Sequence, residues 1–248
     1  MNLRVGTFNI RNGVAFDGGN AWPFRRKATA DMVRALDADV VGLQEAYGFQ
    51  ARSLRRRLPA YGLTGDGRSA RRWGERCAVV FRKARLELTR SETRWYGDDP
   101  SRPGLRLPEA SFPRVATITT FGPVDGGPPF TFANTHLDEH LEDNRVAAAE
   151  QLLDWLGDGP RVVVGDLNAE PDSRVVRALE AGGLRNVLGP DAPGTNHDFT
   201  GRTDGRRIDH ILVSSHWTIG AAEVVTERPG GRLPSDHWPV VADLTLPV

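Results

Sequence analysis

The sequence predicts an α/β fold in which two packed β-sheets carry helices on their outer faces. Three observations support this prediction: eight runs are strand-like, only four segments have helical spacing, and several strand-like runs follow one another with no helix between them. A single parallel, doubly wound sheet needs a helix between almost every two strands. The pattern therefore favours two mainly antiparallel sheets that face each other.

The strand predictions rest on short apolar runs in which β-branched side chains are frequent. Such side chains fit a pleated, buried surface, so these runs mark the interior of the sheets. In chain order, the predicted strands cover residues 3–8, 40–43, 78–81, 115–120, 130–134, 161–164, 208–213 and 240–246.

The helix predictions rest on apolar residues that recur at helical spacing between the strands. The four segments cover residues 25–36, 50–58, 144–156 and 173–181. The third shows the pattern most clearly, since its apolar residues form one stripe along the helix. These residues are Val146, Ala149, Leu152, Leu153 and Leu156. This helix is expected to pack on a sheet.

Composition indicates one folded domain and excludes several classes of protein. The chain has 248 residues, of which 39% are hydrophobic, which is enough to form a substantial core. Its Gly/Pro-rich segments 96–108 and 122–129 are too short to separate domains. We therefore expect one domain over residues 1–248. The 32 basic residues equal the 32 acidic residues, which leaves no overall basic field for nonspecific nucleic-acid binding. The single cysteine, Cys77, excludes an intramolecular disulfide and is expected to be buried and inert.

The sequence also gives expectations about location and partners. The first ten residues do not resemble a cleavable signal segment, and no apolar run approaches the length of a membrane span. We therefore expect a cytoplasmic protein. Nothing in the sequence indicates an obligate protein partner.

Polar residues that can bind metals or transfer protons gather at the ends of the predicted strands. They are Asn9, Glu45, His136, Asp166, Asn168, Asp209, Asp236 and His237. Each one alone is better explained by a turn or by a hydrogen-bonded core histidine. Together they favour a shared site, because sheet-based folds place their active sites at strand ends.

The motifs that contain these residues occur in an order that resembles the endonuclease/exonuclease/phosphatase superfamily, which has the deoxyribonuclease I-like fold. The motifs are FNIR (8–11), GLQE (42–45), NTHLD (134–138), GDLN (165–168), RIDHILVS (207–214) and SDHWPV (235–240). The resemblance spans residues 3–244 and implies a four-layer α/β sandwich with Mg²⁺-dependent hydrolysis of phosphoesters. Segments 20–25, 65–68 and 194–201 further resemble a bacterial, deadenylase-like branch.

The resemblance implies a metal site beside a general base. Asn9 and Glu45 would form the core of the metal site, with Asp236 nearby, and such oxygen-rich ligands suit Mg²⁺ or Mn²⁺. Asp209 would orient His237, which would act as a general base toward water or as a phosphate ligand. A histidine suits this task because its ordinary pKa lies near neutral pH.

The resemblance assigns the remaining polar residues to the reacting phosphate. Asp166 and Asn168 would position the nucleophile and the pentacoordinate phosphorus. His136 would contact a nonbridging oxygen or protonate the leaving group. Abasic-site endonucleases of the superfamily carry tyrosine at the matching position, so this chain resembles instead the deoxyribonuclease I, deadenylase and phosphatase branches.

Three further residues are candidates for substrate binding. Arg11 and Arg114 lie where the resemblance implies phosphate binding, and a guanidinium group can bind two oxygens at once. A surface position explains Arg11 equally well, whereas Arg114 enters an otherwise apolar strand. His197 lies in a segment that borders the substrate pocket in the resembling branch, although Asn196 replaces the usual aromatic residue there.

These features predict a metal-dependent phosphoesterase that hydrolyses a phosphodiester by in-line attack of water. Its substrate would be a phosphate ester, and nucleic acids and small diesters are both candidates. The alternative is a phosphomonoesterase that acts on a phosphorylated sugar, an inositol phosphate or a lipid head group. A different class, a noncatalytic binding module, disagrees with the complete set of polar residues.

Overall fold

The computed structural model describes residues 1–247 and places their strands in two six-stranded sheets. In order across the sheet, the first contains β11 (Thr218–Val224), β12 (Val240–Thr245), β1 (Asn2–Asn9), β2 (Val40–Ala46), β4 (Arg76–Arg82) and β3 (Tyr61–Thr64). The second contains β5 (Leu86–Trp95), β6 (Val115–Pro123), β7 (Phe130–His136), β8 (Arg161–Asp166), β10 (Asp209–Ser214) and β9 (Leu184–Asn186). Each sheet has one parallel pair, β1 with β2 and β7 with β8, and its other neighbouring strands are antiparallel.

Four helices cover the outer faces of the two sheets. They are α1 (Trp22–Ala35), α2 (Gly48–Arg57), α3 (Glu142–Leu156) and α4 (Arg174–Ala181). Buried residues of α1 and α2 pack with the outer side chains of the first sheet, and those of α3 and α4 pack with the second. Among residues 1–247, no helix combines the length and the apolarity that crossing a membrane requires. The predicted four-layer α/β sandwich is confirmed.

The alternation of side chains along each strand separates the inner core from the outer cores. Val40 of β2 faces the space between the sheets, whereas Val41 packs under the helices. In β8, Val162 and Val164 face inward and Val163 faces α3 and α4. Because successive side chains of a strand point to opposite faces, these fully apolar runs are explained by burial on both faces.

All eight predicted strands and all four predicted helices are present. Four strands were missed: β3, β5, β9 and β11. These four are the outer strands of the two sheets. An outer strand contacts a neighbour on one side only, and β5 and β11 are largely exposed, so neither has the apolar run that marked the central strands.

Two buried amides join the sheets directly behind the predicted site. The Gln44 side chain donates a 2.6 Å hydrogen bond to the Asn134 side chain, and Asn134 donates to the carbonyls of Leu43 and Ala78. Gln44 precedes Glu45 in β2, and Asn134 lies two residues before His136 in β7. These bonds therefore fix the carboxyl ends of β2 and β7 against each other.

Candidate active site

The eight polar residues predicted from strand ends lie in one site. The carboxyl ends of β1, β2, β7 and β8 meet there with the start of β10 and with the segment before β12. Asn9 connects the two sheets, because its side-chain nitrogen donates to Glu45 at 3.0 Å and to Asp166 at 2.9 Å. The convergence of the strand ends thus collects residues that are far apart in sequence.

Glu45 is held by backbone geometry and by hydrogen bonds. It has a positive φ of 61°, which is uncommon outside glycine and marks a constrained position at the end of β2. Its carboxylate accepts bonds from the Asn9 side chain and from the backbone and side chain of Asn12. Burial opposes its charge, but these bonds keep the pKa of Glu45 below its usual value.

Asp236 lies beside Arg11 in the segment before β12. The Ser235 hydroxyl donates to the Asn9 carbonyl at 2.6 Å, which holds this segment against β1. Burial raises the pKa of Asp236. The Arg11 guanidinium lies 3.5 Å from Asp236 and 3.1 Å from Asp17. It is therefore already engaged with carboxylates, and its binding of phosphate stays a prediction.

His237 is oriented by Asp209. Its Nδ1 lies 2.8 Å from Asp209 Oδ2, and its Nε2 lies 2.9 Å from the Asn196 amide nitrogen. Both the histidine and the aspartate are buried. The Thr195 hydroxyl accepts a hydrogen bond from the backbone N–H of Asp209. Burial opposes a charge on the ring, but the charge and hydrogen bond of Asp209 raise the pKa of His237 well above its usual value. The ring therefore holds a proton more strongly than a free imidazole does.

His136 has the opposite surroundings. Its Nε2 lies 3.0 Å from the side-chain nitrogen of Asn168 and 3.6 Å from Asp166. Burial, together with the nearby charges of Arg114 and Arg68, lowers the pKa of His136 well below its usual value. This histidine is therefore neutral at neutral pH.

Asp166 lies between the two histidines. Its carboxylate accepts bonds from Asn9 and from the backbone N–H of Asn168, which has a positive φ of 50°. Burial and the nearby charge of Asp209 raise the pKa of Asp166 above its usual value. The carboxylate is thus held in place between the two rings by its hydrogen bonds.

Arg114 enters the site as a buried cation with free hydrogen-bonding capacity. Only 6% of the residue is exposed, and its Nε and Nη1 atoms have no hydrogen-bond partner within residues 1–247. The nearest carboxylate oxygen, on Glu139, is 4.0 Å from Nη2. Arg114 lines a small cavity together with Glu45, Arg68, Glu75, Arg76, Cys77, Val115 and His136. A buried guanidinium without partners indicates an anion site.

Two other predicted residues are buried near the site. His197 packs on Trp238 with ring centroids 4.3 Å apart, accepts the backbone N–H of Gly201, and leaves its Nε2 without a partner among the described residues. Burial lowers its pKa to about 4. Cys77 is buried as predicted, and burial raises its pKa to about 12, so it remains a thiol at neutral pH.

The charge of the site fits a bound cation. Four carboxylates converge there, and Asp209 Oδ1 has no hydrogen-bond partner within the described chain. Asp166, Asp209 and His237 each offer a ligand atom, and these atoms lie within 4.8 Å of one another. The predicted ligands Asn9, Glu45 and Asp236 lie alongside, joined to this group by the Asn9–Asp166 bond. Converging buried carboxylates repel each other, and a divalent cation relieves that repulsion.

Sequence reasoning gave no role in the site to several residues that build it. Arg25 of α1 is fully buried and donates to the carbonyls of Ile10, Arg11 and Asn20, which holds the segment after β1. Asn196, noted in the sequence only as a departure from the resembling branch, contacts His237. Arg68 and Glu75 join the cavity through long-range contacts, which no local spacing reveals.

Fold and site together define a two-sheet α/β sandwich with a buried cluster of carboxylates, amides and imidazoles, suited to metal-dependent hydrolysis. A sequence model of the endonuclease/exonuclease/phosphatase family matches residues 6–237. The chain belongs to this family, whose members are phosphoester hydrolases, and the predicted family is thereby confirmed.

Solved structures with the same fold cover nearly the whole chain. An endonuclease/exonuclease/phosphatase from Bacteroides vulgatus is 30% identical, with a TM-score of 0.92 and full coverage of both chains. A mannosyl-6-phosphatase from Bacteroides thetaiotaomicron is 27% identical, with a TM-score of 0.88 over 98% of this chain and all of that chain. The human Nocturnin catalytic domain shares the fold. It is 24% identical, with a TM-score of 0.75 over 99% of this chain and 94% of that chain. A search of curated proteins found no match.

Proposed function

We propose that this chain is a divalent-metal-dependent hydrolase of small phosphomonoesters in which water attacks phosphorus in line with the leaving group. The observation that carries the proposal is the buried Arg114 guanidinium, which has two nitrogens without a partner among the described residues and lies close to His136 and Glu45. A terminal phosphate would satisfy both nitrogens.

The metal would be held by Asn9, Glu45 and Asp236. Oxygen ligands of this kind suit Mg²⁺ or Mn²⁺, and when bound the ion would polarise a phosphoryl oxygen. The Asp166–Asp209–His237 group is the less suitable position, because ligation by His237 Nδ1 would break its 2.8 Å bond to Asp209.

His237 would be the general base. A divalent cation held by the neighbouring carboxylates would favour the uncharged ring. In that form Asp209 holds the Nδ1 proton, so Nε2 would accept a proton from the attacking water, and the side-chain amide of Asn196 would release Nε2 as water binds. Asp166 and Asn168 would orient the water and the reacting phosphate, since their side chains lie between the two histidines.

On the opposite side, His136 and Arg114 would stabilise the charge that develops on the phosphoryl oxygens. Because His136 is neutral, it fits the role of hydrogen-bond donor to a nonbridging oxygen better than that of a charged acid. Arg114 would bind further oxygens through its free nitrogens.

Similarity to a solved phosphatase supports a monoester. The similar protein from Bacteroides thetaiotaomicron is a mannosyl-6-phosphatase, so a phosphorylated sugar is the favoured candidate.

Cytoplasmic location, a single domain and the lack of an obligate partner stay predictions.

A phosphodiester, the preferred substrate in the sequence analysis, is the second candidate. Several exposed aromatic side chains lie in the connections at the site end of the sandwich: Phe16, Trp73 and Phe112 on loops, and Phe49 in the first turn of α2. These side chains would supply stacking surfaces for a second organic substituent such as a nucleoside.

Parallel assays decide between the candidates. Purified protein is given p-nitrophenyl phosphate or bis-p-nitrophenyl phosphate with Mg²⁺, Mn²⁺ or a chelator. We expect metal-dependent turnover, faster on the monoester, that is lost in Asp166→Ala and kept in the exposed control Asp172→Ala. Faster turnover of the diester would favour the second candidate, and turnover that survives chelation or Asp166→Ala would overturn the proposed mechanism.

A further inference from the structure

One buried cation next to the proposed metal ligands is bound by backbone carbonyls alone. Arg25 lies in the first turn of α1 and is fully buried. Its guanidinium donates to the carbonyls of Ile10 at 2.5 Å, Arg11 at 2.8 Å and Asn20 at 2.9 Å. Burial lowers its pKa to about 10, so it stays charged at neutral pH. Because a buried charge is costly to maintain, the segments that supply these carbonyls indicate what the charge is for.

Most of these carbonyls belong to the segment after β1, which is bonded to the proposed metal site. Asn9 ends β1, and the backbone and side chain of Asn12 donate to the Glu45 carboxylate at 2.8 and 3.1 Å. Arg25 Nη2 also lies 3.4 Å from the carbonyl oxygen of Asn12. Arg25 therefore fixes the path of the chain from Asn9 to Asn12, and with it the donors that hold Glu45.

The same helix also binds the segment before β12. Thr29 lies one turn after Arg25, is fully buried, and donates from its hydroxyl to the Pro234 carbonyl at 2.8 Å. Arg25 Nη1 lies 3.4 Å from the same carbonyl oxygen. Pro234 is two residues before Asp236, the third proposed metal ligand. One helix thus contacts both the segment that follows Asn9 and the segment that carries Asp236.

Aromatic contacts and the shape of the guanidinium make Arg25 suited to join two segments. Its guanidinium carbon lies 5.2 Å from the centre of the Trp22 ring and 5.9 Å from that of Phe199, and aromatic rings at such distances stabilise a cation. The guanidinium is planar and its donors point in fixed directions, so it can bind carbonyls of separate segments at once. An ammonium group lacks this fixed geometry.

Charge and geometry predict opposite effects of Arg25 on a bound metal. A cation near the carboxylates opposes the binding of a second cation, so the charge alone would weaken metal binding. Fixed geometry favours binding, because ligands that are already in place need not be ordered when the ion arrives. We propose that Arg25 and Thr29 are positioning residues that hold the metal ligands at the spacing one divalent cation needs. This proposal rests on the metal site of the proposed function, with Asn9, Glu45 and Asp236 as ligands.

The first test compares two fully buried threonines, with Mn²⁺ as the probe. Thr29→Val removes the bond to Pro234, and Thr119→Val removes a similar 2.9 Å bond to the Phe132 carbonyl in the second sheet. Both variants should have a lower Tm, because each loses one buried hydrogen bond. Only Thr29→Val should raise the Kd of Mn²⁺, by about threefold, in calorimetric titration of the full chain without substrate. Equal Mn²⁺ affinity in the two variants would overturn the proposal.

The second test separates geometry from charge at Arg25. Arg25→Lys keeps the charge without the fixed donor directions, and Arg25→Met removes both. If Arg25 holds the two segments, both variants should bind Mn²⁺ about tenfold more weakly than the parent. Tighter binding in Arg25→Met, or a lower Tm with unchanged Kd in both variants, would contradict the proposal. If Arg25→Met does not fold, Arg25→Lys and Thr29→Val decide the outcome.

Measuring binding and turnover separately distinguishes failure of this proposal from failure of the proposed function. Loss of Mn²⁺ binding in Glu45→Gln would establish that the titrated ion occupies the proposed site. If the parent binds Mn²⁺ there but hydrolyses no phosphoester, the proposed function is wrong, and the threonine and arginine variants still decide the role of Arg25 and Thr29. If the parent hydrolyses a phosphoester and the variants bind Mn²⁺ as it does, only the positioning role is wrong. A parent chain that binds no Mn²⁺ would overturn both.

Discussion

The two histidines of the site have opposite surroundings, and the contrast divides the site into two halves. The acidic half surrounds His237 with the carboxylates of Glu45, Asp166, Asp209 and Asp236. The cationic half surrounds His136 with the guanidinium groups of Arg68 and Arg114. Burial lowers proton affinity at both rings, yet the pKa of His237 is raised and that of His136 is lowered.

Both residues are buried histidines, so the difference between their pKa values comes from their charged neighbours. A ring beside Asp209 accepts a proton, whereas a ring beside two arginines stays neutral and offers a hydrogen bond. The acidic half suits a metal cation and a general base, and the cationic half suits a phosphate. Substitutions on either side should therefore have different kinetic signatures.

The largest effect is expected in the acidic half, from His237→Ala. Loss of the general base should lower kcat about 10³-fold, which corresponds to about 4 kcal/mol, with little change in KM because phosphate binding belongs to the other half. His136→Ala should instead lower kcat/KM about 10²-fold and weaken inhibition by inorganic phosphate. Steady-state kinetics on p-nitrophenyl phosphate measure both, with the exposed His216→Ala as control. Identical signatures in the two variants would contradict the division.

The next effect tests the cationic half through Arg114→Met. We expect kcat/KM to fall about 10²-fold, or about 2.7 kcal/mol, because the free guanidinium nitrogens no longer bind phosphate. Arg114→Lys should recover only part of this loss, since an ammonium cannot bind two oxygens in one plane.

The same Arg114→Met variant should be at least as stable as the parent. A buried charge without a partner is costly, so an apolar side chain of similar length removes that cost. Thermal unfolding without phosphate checks this, and a clearly lower Tm would mean that Arg114 has a structural role.

Metal binding should stabilise the acidic half. Because the cation relieves repulsion among the carboxylates, saturating Mg²⁺ or Mn²⁺ should raise Tm, with about 2.7 kcal/mol of stabilisation expected at a concentration 100 times Kd. Glu45→Gln should reduce this metal-induced shift, and the exposed Glu87→Gln should retain it. Thermal unfolding with and without chelator makes the measurement, and an unchanged shift in Glu45→Gln would remove Glu45 from the metal site.

Central parts of the molecule were predictable from the sequence, and peripheral parts were not. The central strands bury both faces, so runs such as the one ending at Val164 were recognisable, whereas the exposed outer strand β5 has no such run. In the site, residues at strand ends were found because the sheet edge collects them. The Arg68–Glu75 pair was missed because its place in the cavity depends on long-range packing against Trp95 and Phe112.

The smallest effect is expected from Arg11→Ala, although the resemblance implies phosphate binding by Arg11 as well as Arg114. The Arg11 guanidinium is held by Asp17 and lies beside Asp236, so it belongs to the acidic half and has little capacity left for phosphate. We expect kcat/KM to fall less than about tenfold. Removal of this cation should also make the Asp236 side of the site more negative, so the half-saturating Mg²⁺ concentration should decrease about two- to threefold. A loss in kcat/KM as large as that of Arg114→Met, with unchanged metal affinity, would place Arg11 among the phosphate ligands and show that the boundary between the two halves lies elsewhere.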